Sequence, residues 1–326
     1  MHAIIPAAGK GTRMRPMTWS TPKPLLDVAG NTILGHIMDS LVEAGIDHVT
    51  LIVGYLGELV VEWARKNYPS VSVDYFIQEK MDGLASAVAL AEPATGDGPT
   101  LVVLGDTLIE GDFTRFLRGD ANVLAVSQVD DPSGFGVVVM KDGKVEKLVE
   151  KPAEFLSDMA IVGVYGFASG LKLMKAVRML VESGRKTGGE FQLTDAMQLM
   201  LDQGEEFKVV EVDAWYDCGK PETLLATNRA LLEKRAGAGN HELLDSLIIE
   251  PVSIHPEAEV TASVIGPYVS LARGSKLKRS VVSNSIVGRN TVLSHVVLTD
   301  SIIGADAKLT GRPSGLILGD DCKVEC

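Results

Sequence analysis

Short apolar runs alternate with amphipathic stretches along the first hundred residues. Ala3–Pro6 reads as a strand that breaks at Gly9 and Gly11. Asn31-Thr32 can cap an amphipathic helix running to about Ala44, where Gly45 ends it. The run HVTLIV (His48–Val53) predicts a second strand, and Glu58–Asn67 predicts a helix after Gly54-Tyr55. Val71–Ile77 predicts a third strand, Leu84–Leu90 an alanine-rich helix, and Leu101–Leu104 a fourth strand ending at Gly105-Asp106. This alternation implies an α/β fold: a doubly wound, mostly parallel sheet joined by right-handed crossovers. Ligands of such sheets bind at the carboxyl ends of the strands. The Gly9 loop, Gln78–Leu84 and Asp106 all fall there.

From about Ala236 the pattern changes. Ala236–Asn240 (AGAGN) is linker-like, which predicts a first domain over 1–235, a linker over 236–250 and a second domain over 251–326. Apolar pairs then precede glycine at Val264-Ile265-Gly266, Ile286-Val287-Gly288, Ile302-Ile303-Gly304 and Ile317-Leu318-Gly319. The glycine intervals are 22, 16 and 15 residues. These scatter about three turns of a hexapeptide repeat, the coil of a parallel β-helix with three short faces. Val281-Val282 and Val296-Val297-Leu298 supply strands of other faces. Roughly 75 residues make about four such coils. The pattern resembles the left-handed β-helix of hexapeptide-repeat proteins.

Composition narrows the function classes. A chain of 326 residues exceeds what one core usually supports, so two domains are expected. With 46% hydrophobic and 23% charged residues it is far from a disordered composition. A net charge of −12 argues against a nucleic-acid surface, which favours a basic footprint. Cys218, Cys322 and Cys326 form no CxxC metal spacing and no even disulfide framework. No signal-peptide pattern follows Met1 and no apolar run reaches membrane-spanning length, so a cytoplasmic protein without a membrane partner is expected.

The chemistry concentrates in Ala7–Pro16 (AAGKGTRMRP) and in Pro22-Lys23-Pro24-Leu25-Leu26. Glycines let backbone N–H groups approach a phosphate closely, and Arg13, Arg15 and Lys23 add local positive charge. The loop has neither the Walker GxxxxGK[ST] spacing nor the GxGxxG dinucleotide fingerprint. Asp106 after an apolar strand reads by itself as a turn or cap aspartate, and Asp217 sits in Trp215-Tyr216-Asp217-Cys218-Gly219. A carboxylate at such a strand end could hold Mg²⁺, which accepts a few carboxylates and completes its shell with phosphate oxygens and water.

The loop GxGTRxxPxT followed by PKPLL resembles the signature of sugar-1-phosphate nucleotidylyltransferases. The resemblance covers nearly the whole chain. It implies a nucleotidyltransferase domain over 1–235 that joins a nucleoside triphosphate to a sugar 1-phosphate and releases pyrophosphate. It implies catalytic roles for Arg13, Lys23 and Lys151, and Mg²⁺ on Asp106 and Asp217; both loop cations are expected to sit in a solvated cleft. Ala8, Gly9, Gly11, Thr12, Gln78 and Gly83 are the implied nucleotide-binding residues, and Gly136, Glu150 and Lys151 the implied sugar-phosphate residues. Val162-Gly163-Val164-Tyr165 resembles the strand that closes the sugar pocket. Thr194-Asp195, in a helix-start motif, reads as mostly structural.

Gln78 offers an acceptor and paired donors that match uracil or thymine. With Asp82-Gly83-Leu84-Ala85, it is closest to thymidylyl- and uridylyltransferases acting on glucose 1-phosphate. Three alternatives stand beside that reading. Guanylyl transfer to mannose 1-phosphate lies within the same class. A non-catalytic regulatory homologue is disfavoured by the presence of Arg13, Lys23 and both aspartates. An acyltransferase centred on the β-helix would use His255 or His295, but the short repeat favours a structural role in a homo-oligomer.

Overall fold

In the computed structural model, residues 1–117, 120–234, 245–311 and 317–325 are described. The chain divides into two compact units: residues 1–9 with 37–215, and residues 10–36 with 216–326.

The first unit is built on a nine-stranded sheet. His2–Ala7 lies between His48–Val53 and Thr100–Val103, and Ser72–Ile77 extends the sheet beyond His48–Val53, all in parallel pairs. His48–Val53 is buried almost throughout, as a central parallel strand covered on both faces must be. The helix Gly57–Asn67 crosses over from it to Ser72–Ile77. Helices Leu84–Ala89, Gly170–Ser183 and Leu193–Asp202 pack a core in which Val88, Leu173 and Met197 meet Ile4, Ile52 and Val102 of the strands.

Beyond the parallel strands the sheet becomes mixed. Met159–Phe167 runs antiparallel to Thr100–Val103, to Asn122–Gln128 and to Gly136–Lys141, and Gly136–Lys141 pairs antiparallel with Lys144–Glu150. Asp142 and Gly143 make that hairpin with φ of +50° and +76°. An Asp-Gly pair with two positive φ values suits a two-residue turn whose twist matches the strands. Phe207–Glu211 adds a parallel strand beside Asn122–Gln128.

The second unit contains residues 10–36, the helix Pro221–Lys234 and the repeat region. The repeats form three all-parallel sheets of four, five and five strands, which fits the expected left-handed β-helix. Leu247 pairs with Val264, Val264 with Val281, Val281 with Val297 and Ile302 with Ile317, so the coils shorten from 17 through 16 to 15 residues along the stack. Val260, Leu277, Leu293 and Leu309 stack inward in one buried ladder, and Ile265, Val282 and Leu298 in another.

Two expectations need correction here. The four apolar-glycine triplets do not share a face. Val264–Ile265 lies in the sheet with Val281–Ser283, while Ser285–Val287, Ile302–Ile303 and Ile317–Leu318 lie in another. The 22-residue interval is therefore one coil plus one further side. The linker reading over 236–250 falls largely on 235–244, outside the described residues, and its end is already structured, because Leu247–Ile248 forms the first strand of the stack.

The coil corners also explain a histidine. Ala262, Arg279 and His295 recur at one corner with φ of +49°, +49° and +58°. His295 turns the chain, and its exposed ring lies outside the apolar core.

Candidate active site

The expected site residues divide between the two units. Ala8, Gly9, Gln78, Gly83, Asp106, Gly136, Glu150 and Lys151 belong to the sheet unit. Gly11, Thr12, Arg13, Lys23 and Asp217 belong to the β-helix unit.

In the sheet unit, Ala8 is buried at the end of His2–Ala7 and Gly9 is exposed. Gln78 follows the edge strand and is buried, unlike an ordinary surface strand residue. Its backbone N–H donates to the Val53 carbonyl at 2.8 Å and its Nε2 to the Gly83 carbonyl at 3.3 Å. The same loop is tied from another side, where Phe191 N–H donates to Asp82 O at 2.7 Å and Ala85 N–H to Phe191 O at 2.9 Å. Gly83 adopts φ of +127°, and a Cβ there would stand 2.3 Å from the Phe191 carbonyl oxygen. Only glycine fits that turn.

Glu150 and Gly136 are direct cross-strand partners. A Cβ on Gly136 would lie 2.6 Å from Thr194 Oγ1 and 3.0 Å from Glu150 Oε2. Thr194 Oγ1 donates to Glu150 Oε2 at 2.7 Å. Lys151 turns at φ of +43°, its N–H donating to Phe135 O at 2.9 Å, and brings Nζ to 3.6 Å from Glu150 Oε1. The result is a half-buried carboxylate with a hydroxyl on one oxygen and an exposed ammonium beside the other. Phe135 meets Trp215 edge-on, ring centres 5.6 Å apart.

Asp106 follows Gly105, whose missing side chain lets the loop pass the Pro6 carbonyl, 2.9 Å from where a Cβ would sit. Burial first, then the charges of Glu150 and Asp106, push the Tyr165 phenol well above its ordinary value. Tyr165 therefore stays a neutral donor near both carboxylates.

In the β-helix unit, Gly11 turns at φ of +60°, and its carbonyl accepts from Met14 N–H and from Thr18 Oγ1, each at 2.8 Å. Thr12 and Arg13, in the short turn Thr12–Met14, are exposed. Lys23 departs from the solvated-cleft expectation, with only 8% of its surface exposed. Its stem packs against Gly11, whose Cβ would lie 3.2 Å from the Lys23 Cβ, and it opens the buried turn Lys23–Leu25. Asp217 ends the strand Ala214–Asp217 and is half-buried, and a Cβ on Gly219 would stand 2.7 Å from its Oδ1. Glycine thus leaves room around this carboxylate. Among the described residues, no group of three or more His, Cys, Asp or Glu could hold a metal ion.

Residues 2–234 match the nucleotidyl transferase family. The chain belongs to that family. A glucose-1-phosphate thymidylyltransferase of Streptomyces griseus is 31% identical over all of this chain and 99% of its own length. The bifunctional protein GlmU of Methanocaldococcus jannaschii is 32% identical over 93% of this chain and 78% of its own. A solved structure described as a glucose-1-phosphate thymidylyltransferase from Bacillus anthracis, in complex with sucrose, superposes with a TM-score of 0.63 at 28% identity. It covers 71% of this chain and 95% of its own.

The segment that defines this nucleotidyl transferase contains every expected site residue, and the β-helix strands lie beyond it. Thr194 does more than begin a helix. It read as a helix-start residue, yet it is buried in the first turn of Leu193–Asp202 with its hydroxyl on Glu150. The neighbouring Gln192 and Asp195 are polar too, so nothing local singles Thr194 out. Among the described residues no helix is long and apolar enough to cross a membrane.

Proposed function

We propose that this nucleotidyl transferase moves a nucleotidyl group from dTTP or UTP to a hexose 1-phosphate, glucose 1-phosphate in the first instance, and releases pyrophosphate. The observation that carries the reading is the Glu150 group. Its carboxylate, oriented by Thr194 and facing Gly136, can accept sugar hydroxyls, while Lys151 can hold the sugar phosphate. The similarity to a glucose-1-phosphate thymidylyltransferase along the whole chain supports the same substrate class.

In the proposed reaction a phosphate oxygen of the sugar 1-phosphate attacks the α-phosphorus in line. The bond from that phosphorus to the bridging oxygen breaks, and the electron pair leaves with pyrophosphate. The nucleophile is already an anion, so no general base is needed. Catalysis then consists of positioning and charge neutralisation. Arg13 and Lys23 neutralise the departing pyrophosphate, and backbone groups at Ala8, Gly9, Gly11 and Thr12 line the nucleotide phosphates. Gln78 and Gly83 receive the base. Asp106 and Asp217 are the carboxylates we assign to Mg²⁺, a cation that accepts one or two carboxylates and takes its other ligands from phosphate and water. When bound, it supplies charge neutralisation at the phosphates. The protein acts in the cytoplasm as a homo-oligomer in this reading.

The test is a substrate matrix. Pyrophosphate release is measured for dTTP, UTP and GTP against glucose, galactose, mannose and N-acetylglucosamine 1-phosphates, with acetyl-CoA turnover as a separate arm. Preferred turnover of dTTP or UTP with glucose 1-phosphate supports the proposal. Exclusive use of GTP with mannose 1-phosphate, or acetyl transfer alone, overturns it.

A further inference from the structure

The phosphate-loop segment, residues 10–36, shares a compact unit with the β-helix, although more than 200 residues separate them in the chain. Three glycines show how the two meet. A Cβ on Gly288 would strike the Gly304–Ala305 backbone, with its nearest atom at 2.7 Å, and one on Gly304 would strike Gly319–Asp320 at 2.5 Å. A Cβ on Gly319 would meet the carbonyl oxygen of Pro16 at 3.0 Å. Pro16 therefore stands where the next coil stands for the two earlier glycines. Three of the four apolar-glycine triplets thus keep one column of the β-helix bare, and the loop lies at its end. Met17 and Leu25 share with Ile286 and Ile302 a cavity of about 30 Å³, room for about one water.

One side chain ties this contact together. Asp320 Oδ1 accepts from the Ala305 N–H at 2.6 Å, which fixes the carboxylate to the preceding coil. Its Oδ2 accepts from Thr21 Oγ1 at 2.6 Å and from the Ser20 hydroxyl. Asp27 and Arg289 are the charged groups that line the same cavity beside it. Thr21 stands two residues before Lys23, and Thr18 bonds back to the Gly11 carbonyl. The anchor thus lies inside the wrap that sets Arg13 and Lys23.

We propose that Asp320 is a positioning residue for nucleotidyl transfer: the last β-helix coil holds the Ser20–Thr21 hydroxyls, and through them the loop carrying Arg13 and Lys23. The β-helix is then part of what shapes the phosphate loop as well as a structural appendage. The kinetic half of this proposal rests on the function proposed above.

The experiment uses the full chain and two readouts. Asp320→Ala, Asp320→Asn and the double variant Ser20→Ala/Thr21→Val are compared with the parent protein. Asp320→Ala should lower kcat/KM for the nucleoside triphosphate at least about tenfold, with KM for the sugar 1-phosphate unchanged and the melting temperature within a few degrees. Asp320→Asn, which keeps an acceptor oxygen, should recover part of the loss. Adding Asp320→Ala to the double variant should cost little more, because both remove one interaction. Hydrogen exchange of residues 12–23 should quicken at least about tenfold in Asp320→Ala, a readout that needs no activity. Unchanged exchange in a folded Asp320→Ala protein overturns the proposal, and so does full additivity. If Asp320→Ala does not fold, the same exchange comparison on the double variant decides it. Absence of pyrophosphate release in the parent overturns the proposed function alone, because the exchange result still reads the anchor.

Discussion

Thr194 Oγ1 donates a 2.7 Å hydrogen bond to Glu150 Oε2 across 44 residues of sequence. The donor sits in the first turn of a buried helix and the acceptor at the end of a strand, so the helix fixes the carboxylate's orientation. A hydrogen bond to a charged group is worth about 1.5–3 kcal/mol. Thr194→Val should raise KM for the sugar 1-phosphate on the order of tenfold while leaving KM for the nucleotide near its parent value. Steady-state kinetics with each substrate varied in turn check this, and equal effects on both KM values would count against the assignment.

The loop cations should separate by burial. Arg13→Ala and Lys23→Ala should each lower kcat by about 10² or more, because each removes a preorganised cation from developing charge. Arg13 is exposed, so its variant should melt like the parent protein. Lys23 is buried against Gly11, so its variant should also lose stability, on the order of 1–2 kcal/mol. Thermal melts run beside the kinetics test both halves.

Charge at the two aspartates should set the metal requirement. Asp217→Asn and Asp106→Asn keep side-chain shape and lose the charge that attracts Mg²⁺. Each should abolish turnover at low Mg²⁺ while nucleotide binding, followed by calorimetry, stays largely intact. Full activity of Asp217→Asn at low Mg²⁺ would remove it from the metal assignment.

A histidine pair predicts the acid side of the stability curve. His2 is buried, its Nε2 lies 2.8 Å from Thr50 Oγ1, and its ring stacks on His48 at 4.5 Å. Burial first, then the His48 charge, lowers its pKa from 6.5 to about 4. The unfolded chain therefore binds the proton more readily, and stability present above pH 6.5 is lost as pH falls towards about 4. The loss should be on the order of 1–2 kcal/mol, with allowance for solvent screening. His2→Phe should flatten the melting temperature between these pH values, and an unchanged slope would assign the acid sensitivity elsewhere.

Much of the architecture was legible in local pattern. His48–Val53 is the strand its apolar run predicts, and the helix expected after Asn31-Thr32 is observed over Ile33–Glu43, with Gly35 N–H donating to Thr32 Oγ1 at 2.9 Å. Period and capping are properties of neighbouring residues, so the sequence displays them directly. The mixed half of the sheet was less legible. Antiparallel pairing of Met159–Phe167 with three other strands depends on which distant edges stay open.

By itself, then, the sequence determined the α/β alternation, the glycine-rich loop with its cations, and the repeating coils, because short-range sterics and hydrophobic period encode all three. Tertiary structure alone decided that Lys23 is buried, that Thr194 serves Glu150, and that Thr21 bonds Asp320 from 299 residues away. Each of these depends on surfaces that meet only after the chain has packed. No local pattern carries such a meeting, because its partners are selected by shape and hydrogen-bond satisfaction across the fold.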